Sequence, residues 1–519
     1  MISADVLGER ARLTPDALAL VVVEPPLRLT YGELDARSVR CALALQRLGL
    51  GRGDRVAILA HNRVEYLEAF FASGKSGMIL VTLGTRLTAH ELQPILDDSG
   101  ARAVLYDGAF AETVAALRST TPGVIHWIAL DASGTLTDPT YTALTQAVDP
   151  AVYVPARCSP EDVYCLLYTS GTTGRPKGVM IPHRQVAWNG YNTACSWQLR
   201  ADDVSPVFTP LYHAGGLMAF LVPIVTIGGT VVLHRGFDAA EIWAAVERER
   251  ATVVLGVPTI WKLLAEAPEW TSADLSSLRM LYSGGAPLPT WIAELYQRRG
   301  LVFKQGYGMT EVGVNCFAMT AEDSLRKLGS IGKPLMHTDV RLVGADGHDV
   351  ADGEIGEMWF SGPHVSLGYW NRPDATAEVY RADGWFRSGD LARRDADGFF
   401  FIAGRAKEMI ISGGVNVYPA EIEAALLQHP DVRDAAVVGV EDATWGEAGI
   451  AFVVPLESPQ ATDGAALEAS LLEHLGARLA RFKLPKAFVL LDELPRTAYG
   501  KVVKGELRTR YLAARKDVP

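Results

Sequence analysis

Cysteine is scarce in this chain of 519 residues: Cys41, Cys158, Cys165, Cys195 and Cys316 are the only five, their number is odd, and no two form a CxxC pair. That excludes a disulfide framework and a cysteine-based zinc site, and fits reduced thiols in a cytoplasmic protein. A long apolar run is also lacking. The longest, 217–233, is interrupted by Pro223, Gly228 and Gly229 and falls short of the roughly 18 uninterrupted residues of a membrane span. The first dozen residues carry Asp5 and Glu9 and have no apolar secretion-signal centre, so a soluble, cytoplasmic protein is expected. Internal repeats and low-complexity segments are missing, which argues against solenoids and propellers. Positive charge is nowhere concentrated. Lys plus Arg is 49 against 60 Asp plus Glu, a net charge of −11, so nucleic acid is a disfavoured partner. A small anionic ligand must therefore be held by a local device that overrides the global field.

Hydrophobic residues make up 49% and charged residues 21%, enough apolar material for a large core. At roughly 150 residues per domain the length corresponds to about three and a half domain-sized units. Strand-like and helix-like stretches alternate, which predicts an α/β fold. A helix is expected over 239–250, with Ile242 and Val246 on one face, then a buried strand over 252–257. Further strands are expected over 163–168, 278–282 and 302–304, and a helix over 289–299. Three of these strands empty into loops rich in glycine and hydroxyls: 169–178, the segment Ser283, Gly284, Gly285, Ala286, Pro287, and the segment Gln305, Gly306, Tyr307, Gly308. Ligands of open α/β sheets collect beyond the carboxyl ends of strands, so the three loops are expected to form one composite site.

The most informative segment is Tyr168, Thr169, Ser170, Gly171, Thr172, Thr173, Gly174, Arg175, Pro176, Lys177, Gly178. Hydroxyls, glycine N–H groups and a lysine are what a loop needs to wrap a polyphosphate. It is not a Walker loop, because Pro176 rather than glycine precedes Lys177. The loop resembles the signature of the AMP-forming acyl- and aryl-CoA synthetases, the adenylate-forming enzymes. Four more stretches resemble that family's motifs in order: Gly306, Tyr307, Gly308, Met309, Thr310, Glu311; Gly384 to Asp390; Gly404 to Gly414; and Pro495 to Lys501. The resemblance implies roles. Lys177, Thr310 and Lys501 would face phosphates, Glu311 would hold Mg²⁺, Gly284 to Pro287 and Gln305 to Met309 would line the nucleotide site, and Asp390 with Arg405 would hold the ribose. Tyr212, His213, Gly215, Gly216 and Val312 would border the carboxylic acid. The implied layout is an N-terminal adenylation domain over 1–405 and a mobile cap over 406–519, hinged at Lys407, with Ser412, Gly413 and Gly414 facing a coenzyme A tunnel. Two departures stand out: Tyr499 replaces a small residue before Gly500 and Lys501, and Val415 stands where glutamate is frequent.

The chemistry agrees with the resemblance. A carboxylate is anionic and has no leaving group, so joining it to a thiol requires prior transfer of AMP from ATP, with phosphate charge offset locally. The expected substrates are ATP, CoA and a small carboxylic acid, with Mg²⁺ as cofactor. The residues around His213 and after Glu311 are small or apolar, with no acidic group for an amine and no arginine for a second carboxylate. A monoacid is expected, a medium- to long-chain fatty acid first and an aryl acid of hydroxycinnamate or benzoate type as the alternative. Only 18 residues follow Lys501, which argues against a fused carrier, while loading of a separate carrier protein stays open. Luciferase-like oxidation shares the motifs and is set aside on rarity. A non-catalytic nucleotide scaffold is opposed by Lys177, Glu311 and Lys501 together, and hydrolysis through a nucleophile elbow by the lack of any GxSxG. Oligomeric state is not legible, and a homodimer is allowed.

Overall fold

A computed structural model describes residues 5–131, 137–169, 176–412, 415–442, 445–456, 463–497 and 501–516. The architecture is α/β, with a large N-terminal domain and a smaller C-terminal one. A six-stranded sheet runs in the order His126–Ala129, Ala103–Tyr106, Arg55–Leu59, Ile79–Thr82, Val163–Thr169, Lys177–Pro182, parallel except for the last pair. Its strands are apolar on both faces because helices cover both. A second sheet orders Leu27–Thr30, Leu18–Val22, Thr230–Leu233 and Val204–Val207, and a third pairs Val253–Gly256, Met280–Ser283 and Phe303–Gln305 in parallel. An antiparallel sheet of Asp339–Val343, Ile355–Ser361, Phe386–Arg394 and Phe400–Arg405 follows.

Phe317–Ala318 and Lys333–Pro334 form a two-stranded sheet, and the sixth sheet is the scaffold of the C-terminal domain. Val415–Val417, Ile410–Ser412, Gly446–Pro455 and Val432–Asp442 pair antiparallel, and Ala487–Leu490 adds in parallel to Gly446–Pro455. The helices Pro419–Leu426 and Gly464–Gly476 bury Ile422, Leu426, Leu471 and Leu475 in a core of their own with Val437, Ala451 and Val453.

Expected elements fall within a residue or two of the observed ones. The helix Ala239–Arg248 starts where the Asp238 carboxylate accepts from Glu241 N–H at 2.9 Å, and Arg250, expected inside it, is left-handed at φ 53°. The apolar run 217–233 divides into a π-helical turn Leu217–Leu221, the helix Val222–Ile227 and the strand Thr230–Leu233. Among the described residues no helix is long and apolar enough to cross a membrane.

Candidate active site

The strands Val163–Thr169 and Lys177–Pro182 form a hairpin in which Thr169 faces Lys177. Ser170, Gly171, Thr172, Thr173 and Gly174, at its tip, lie outside the described residues. The outer strand carries a strap: Met180 N–H donates to Gly368 O at 2.9 Å, Leu367 N–H to Met180 O at 3.1 Å, and Trp370 N–H to Gly178 O at 2.8 Å. This places the Tyr369 ring under Lys177, whose Nζ lies 4.9 Å from the ring centroid. Tyr369 in turn donates its hydroxyl to Glu311 Oε1 at 2.9 Å. Glu311 is only 6% exposed, and burial raises its carboxyl pKa against the opposing pull of its own N–H, the Tyr369 hydroxyl and the charges of Lys501 and Arg405. The same strap fixes the backbone there, with Ser366 N–H on Glu311 O at 2.8 Å and His364 Nδ1–H on Val312 O.

The strands Met280–Ser283 and Phe303–Gln305 end side by side. Gly306 N–H donates to Ser283 O at 3.0 Å, and Leu288 N–H to Gln305 Oε1 at 3.3 Å, so the turn Gly284 to Pro287 and the turn Gly306 to Glu311 are laced together. Gly285 sits at φ 80°. At Gly308 a Cβ would lie 2.3 Å from the Val314 carbonyl, so only glycine admits this fold-back. Met309 N–H closes it on Gly313 O, and Gln185 Nε2 holds Thr310 O at 3.1 Å. Tyr307 donates its hydroxyl to Asp390 Oδ2, while Arg405 Nε lies 2.9 Å from Asp390 Oδ1. Asp390 and Arg405 face each other across neighbouring strands, which is why residues 15 apart in sequence meet.

Lys501 joins the two sides. Its residue is exposed at the surface, yet its ammonium faces protein: burial lowers its pKa, the like charge of Arg405 adds to this, and Asp390, Glu311 and Glu408 oppose it. It also bears on His213, whose pKa burial, then Lys501 and Arg86, depress to about 3, so the imidazole is neutral at physiological pH. The segment around His213 is fixed from the six-stranded sheet. Thr82 Oγ1 donates to Tyr212 O at 2.8 Å, and Asn62 holds Thr209 O and Leu211 N–H at 3.0 and 2.9 Å. Gly215 and Gly216 make the turn after it, and a Cβ on Gly216 would lie 2.3 Å from Pro210 O. Val312, expected at the acid, is fully buried and packs with Cys316, Phe317 and Phe360. Lys407 lies in the short turn Ala406–Glu408 between the last two sheets, and Ser412 pairs with Val415 and Gly446. Gly413 and Gly414 lie outside the described residues.

Lys177, Glu311, Thr310, Tyr307, Asp390, Arg405, Lys501 and His213 thus converge on one cleft. Tyr369, Gln185 and the 364–370 strap carry no motif and are legible only once folded. Among the described residues no three His, Cys, Asp or Glu side chains gather as metal ligands. The five cysteines are free, and burial pushes the thiol pKa of Cys41 up to about 12 and that of Cys165 and Cys316 higher still, which leaves no thiolate nucleophile there.

Two lysines and one arginine around the buried carboxylates of Glu311 and Asp390, with a small second domain carrying one of those lysines inward, define an adenylate-forming ligase. The chain belongs to the AMP-binding enzyme family, the AMP-forming acyl-CoA synthetases: the family model matches residues 7–370 and that of the AMP-binding enzyme C-terminal domain matches 421–501. A feruloyl-CoA synthase of Amycolatopsis sp is 45% identical over 503 residues, 97% of each chain. The long-chain-fatty-acid–CoA ligase FadD13 of Mycobacterium tuberculosis is 36% identical over 515 residues, 98% of each chain. The solved o-succinylbenzoate CoA synthetase of Bacillus subtilis, in complex with its acyl-adenylate intermediate, superposes with a TM-score of 0.83 at 33% identity, covering 97% of this chain and 98% of that one. The protein is an AMP-forming acid–CoA ligase with ATP, CoA and a small carboxylic acid as substrates. The feruloyl-CoA synthase is the more similar of the two relatives by nine percentage points over nearly the whole chain, which fits the aryl alternative better than the fatty-acid expectation.

Proposed function

We propose that the chain activates an aryl carboxylic acid, of hydroxycinnamate or benzoate type, in two steps at one cleft. The observation that carries the substrate class is the 45% identity to a feruloyl-CoA synthase across 97% of both chains. In the first step a carboxylate oxygen attacks the α-phosphorus of ATP and the bond to pyrophosphate breaks. In the second the CoA thiol sulfur attacks the acyl carbon, AMP leaves with the bonding pair, and the thiol proton is released. Lys177 and the hydroxyl- and glycine-rich segment from Thr169 to Gly174 bind the leaving phosphates, and Lys501 offsets charge developing at the α-phosphate. Asp390, held by Tyr307 and Arg405, accepts from the ribose hydroxyls. Neutral His213 stands at the acid carboxylate, where it can donate a hydrogen bond without a formal charge that would hold the nucleophile back.

Mg²⁺ fits this donor set. It is normally held by one or two carboxylates, substrate phosphates and water rather than by a protein cage, and Glu311 supplies one carboxylate beside the phosphate-binding lysines. When bound, the ion neutralises phosphate charge. For the second step the cap over 406–519 turns at Lys407, withdrawing Lys501 and bringing Ser412, Gly413 and Gly414 to the thiol path. Supporting this division, Arg405 ends one sheet and Ile410 begins the next, and the two family matches are separated by residues 371–420.

The test is AMP release with ATP, Mg²⁺ and CoA across cinnamic, benzoic and straight-chain fatty acids. Higher kcat/KM for the aryl acids is expected; preference for dodecanoate over every aryl acid would overturn the aryl assignment.

A further inference from the structure

The π-helical turn Leu217–Leu221, four residues beyond His213, leaves carbonyls without helical partners. Val222 N–H reaches Leu217 O in the π pattern, and the next donor along would come from residue 223, a proline with no N–H. Two asparagines answer instead. Asn189 Nδ2 donates to Met218 O at 2.6 Å, and Asn315 Nδ2 to Ala219 O at 2.8 Å and to Thr193 Oγ1 at 3.1 Å. Asn189 and Thr193 are one turn apart on the buried helix His183–Trp197, and Asn315 follows the Glu311 turn, so a polar floor closes an otherwise apolar segment. Asn189 is 2% exposed and Asn315 6%.

Carbonyl repair accounts for the amide nitrogens and leaves one atom unexplained. Asn189 Oδ1 is buried and accepts no hydrogen bond from the described residues. Stranding such an acceptor is costly, and native proteins rarely do so without a ligand or water to answer it. The chain cannot supply the donor from the neighbouring position: a Cβ on Gly313 would lie 3.2 Å from Asn189 Oδ1, but Gly313, at φ 80° and ψ 146°, is held where L side chains are strained. Resting on the aryl-acid reading above, we infer that Asn189 is a specificity-determining residue whose Oδ1 accepts a hydrogen bond from a hydroxyl on the distal ring position of the acid, so that the preferred substrate is a phenolic arylacrylate or benzoate. An alkyl chain would leave the acceptor unanswered, which is the stronger form of discrimination open to a buried pocket.

The test begins with the unaltered enzyme and needs no variant: kcat/KM is compared for 4-hydroxycinnamate, cinnamate, 4-methoxycinnamate and dodecanoate. One to two orders of magnitude in favour of the hydroxylated acid are expected over cinnamate and over the methoxy acid, which has no O–H. Asn189→Ala and Asn189→Ser should bring the ratio of the hydroxylated acid to cinnamate to within about threefold, with the KM for ATP unchanged. Equal use of cinnamate and 4-hydroxycinnamate by the unaltered enzyme overturns the inference and leaves the aryl reading standing. A preference that survives in both variants also overturns it. Turnover of dodecanoate with no aryl acid used overturns the aryl reading itself.

Discussion

Lys501 and Tyr369 illustrate how single side chains set the chemistry. Lys501 is ordinary by composition and exceptional by place: protein around its ammonium and the charge of Arg405 lower its pKa, while it stays within reach of Asp390, Glu311 and Glu408. Lys501→Ala should reduce acyl-adenylate formation by on the order of 10²–10³, the usual loss for one preorganised charge donor, and leave thioester formation from supplied acyl-adenylate within a few-fold. Pyrophosphate exchange and single-turnover thioester assays separate the two, and equal loss in both would refute the role. Because the pKa is lowered, the alkaline limb of adenylation should begin at lower pH than an ordinary lysine gives, and the thioester step should not share that limb. Tyr369 acts on Glu311, where its hydroxyl favours the charged carboxylate. In Tyr369→Phe the ring stays under Lys177 and the donor is lost. The Glu311 pKa then rises further, so the acid limb of adenylation moves to higher pH and kcat/KM for MgATP falls roughly tenfold or more at neutral pH. An unchanged acid limb would show that the contact carries no electrostatic weight.

Elements decide which of these residues meet. The turn Gly306 to Gly313 folds back so tightly that Gly308→Ala would drive a Cβ to 2.3 Å from the Val314 carbonyl. Backbone cannot yield as a flexible side chain does, so adenylation should drop at least 100-fold, with both Asp390 contacts disturbed through Tyr307; wild-type ATP affinity in that variant would contradict the argument. This turn was readable in the sequence, since its glycines and hydroxyls follow a recognisable strand. So were the strand that empties into the 169–178 loop and the helices and strands around 239–305, where apolar periodicity marks them; the strand Lys177–Pro182, expected as loop at its first two residues, was not. The 364–370 strap was not. It is fixed by backbone hydrogen bonds to two segments nearly 190 and 60 residues away in sequence, and such pairing leaves no local period to read. Nor was the helix His183–Trp197 seen as an organiser, although Gln185, Asn189, Asn192 and Thr193 lie at i, i+4, i+7 and i+8, a polar stripe on a buried helix.

At the scale of the whole molecule, a protein of net charge −11 must concentrate cations where a polyphosphate binds, and the proposed rotation of the cap would later remove one of them. Lys177 lies within the AMP-binding enzyme match and Lys501 within that of the C-terminal domain, while Arg405 pairs with Asp390 between them, so under the proposed rotation domain position determines whether the third charge is present. The connection is short: Arg405 closes the strand Phe400–Arg405, Ala406–Glu408 forms one turn, and Ile410 opens the next sheet. Lys504, just beyond Lys501, sits 2.9 Å from both Glu408 and Glu423, tying that turn to the helix Pro419–Leu426 of the small domain. Rotation about the turn requires a change of backbone dihedral at Lys407, which proline forbids by fixing φ near −65°. Lys407→Pro should therefore keep acyl-adenylate formation within about threefold and slow thioester formation by roughly 100-fold or more, with acyl-adenylate accumulating on the enzyme. Quenched-flow measurement of bound acyl-adenylate against CoA ester distinguishes the outcomes. If both half-reactions slowed together, the turn would be a structural element of the cleft, and the withdrawal of Lys501 would have to originate elsewhere in the chain.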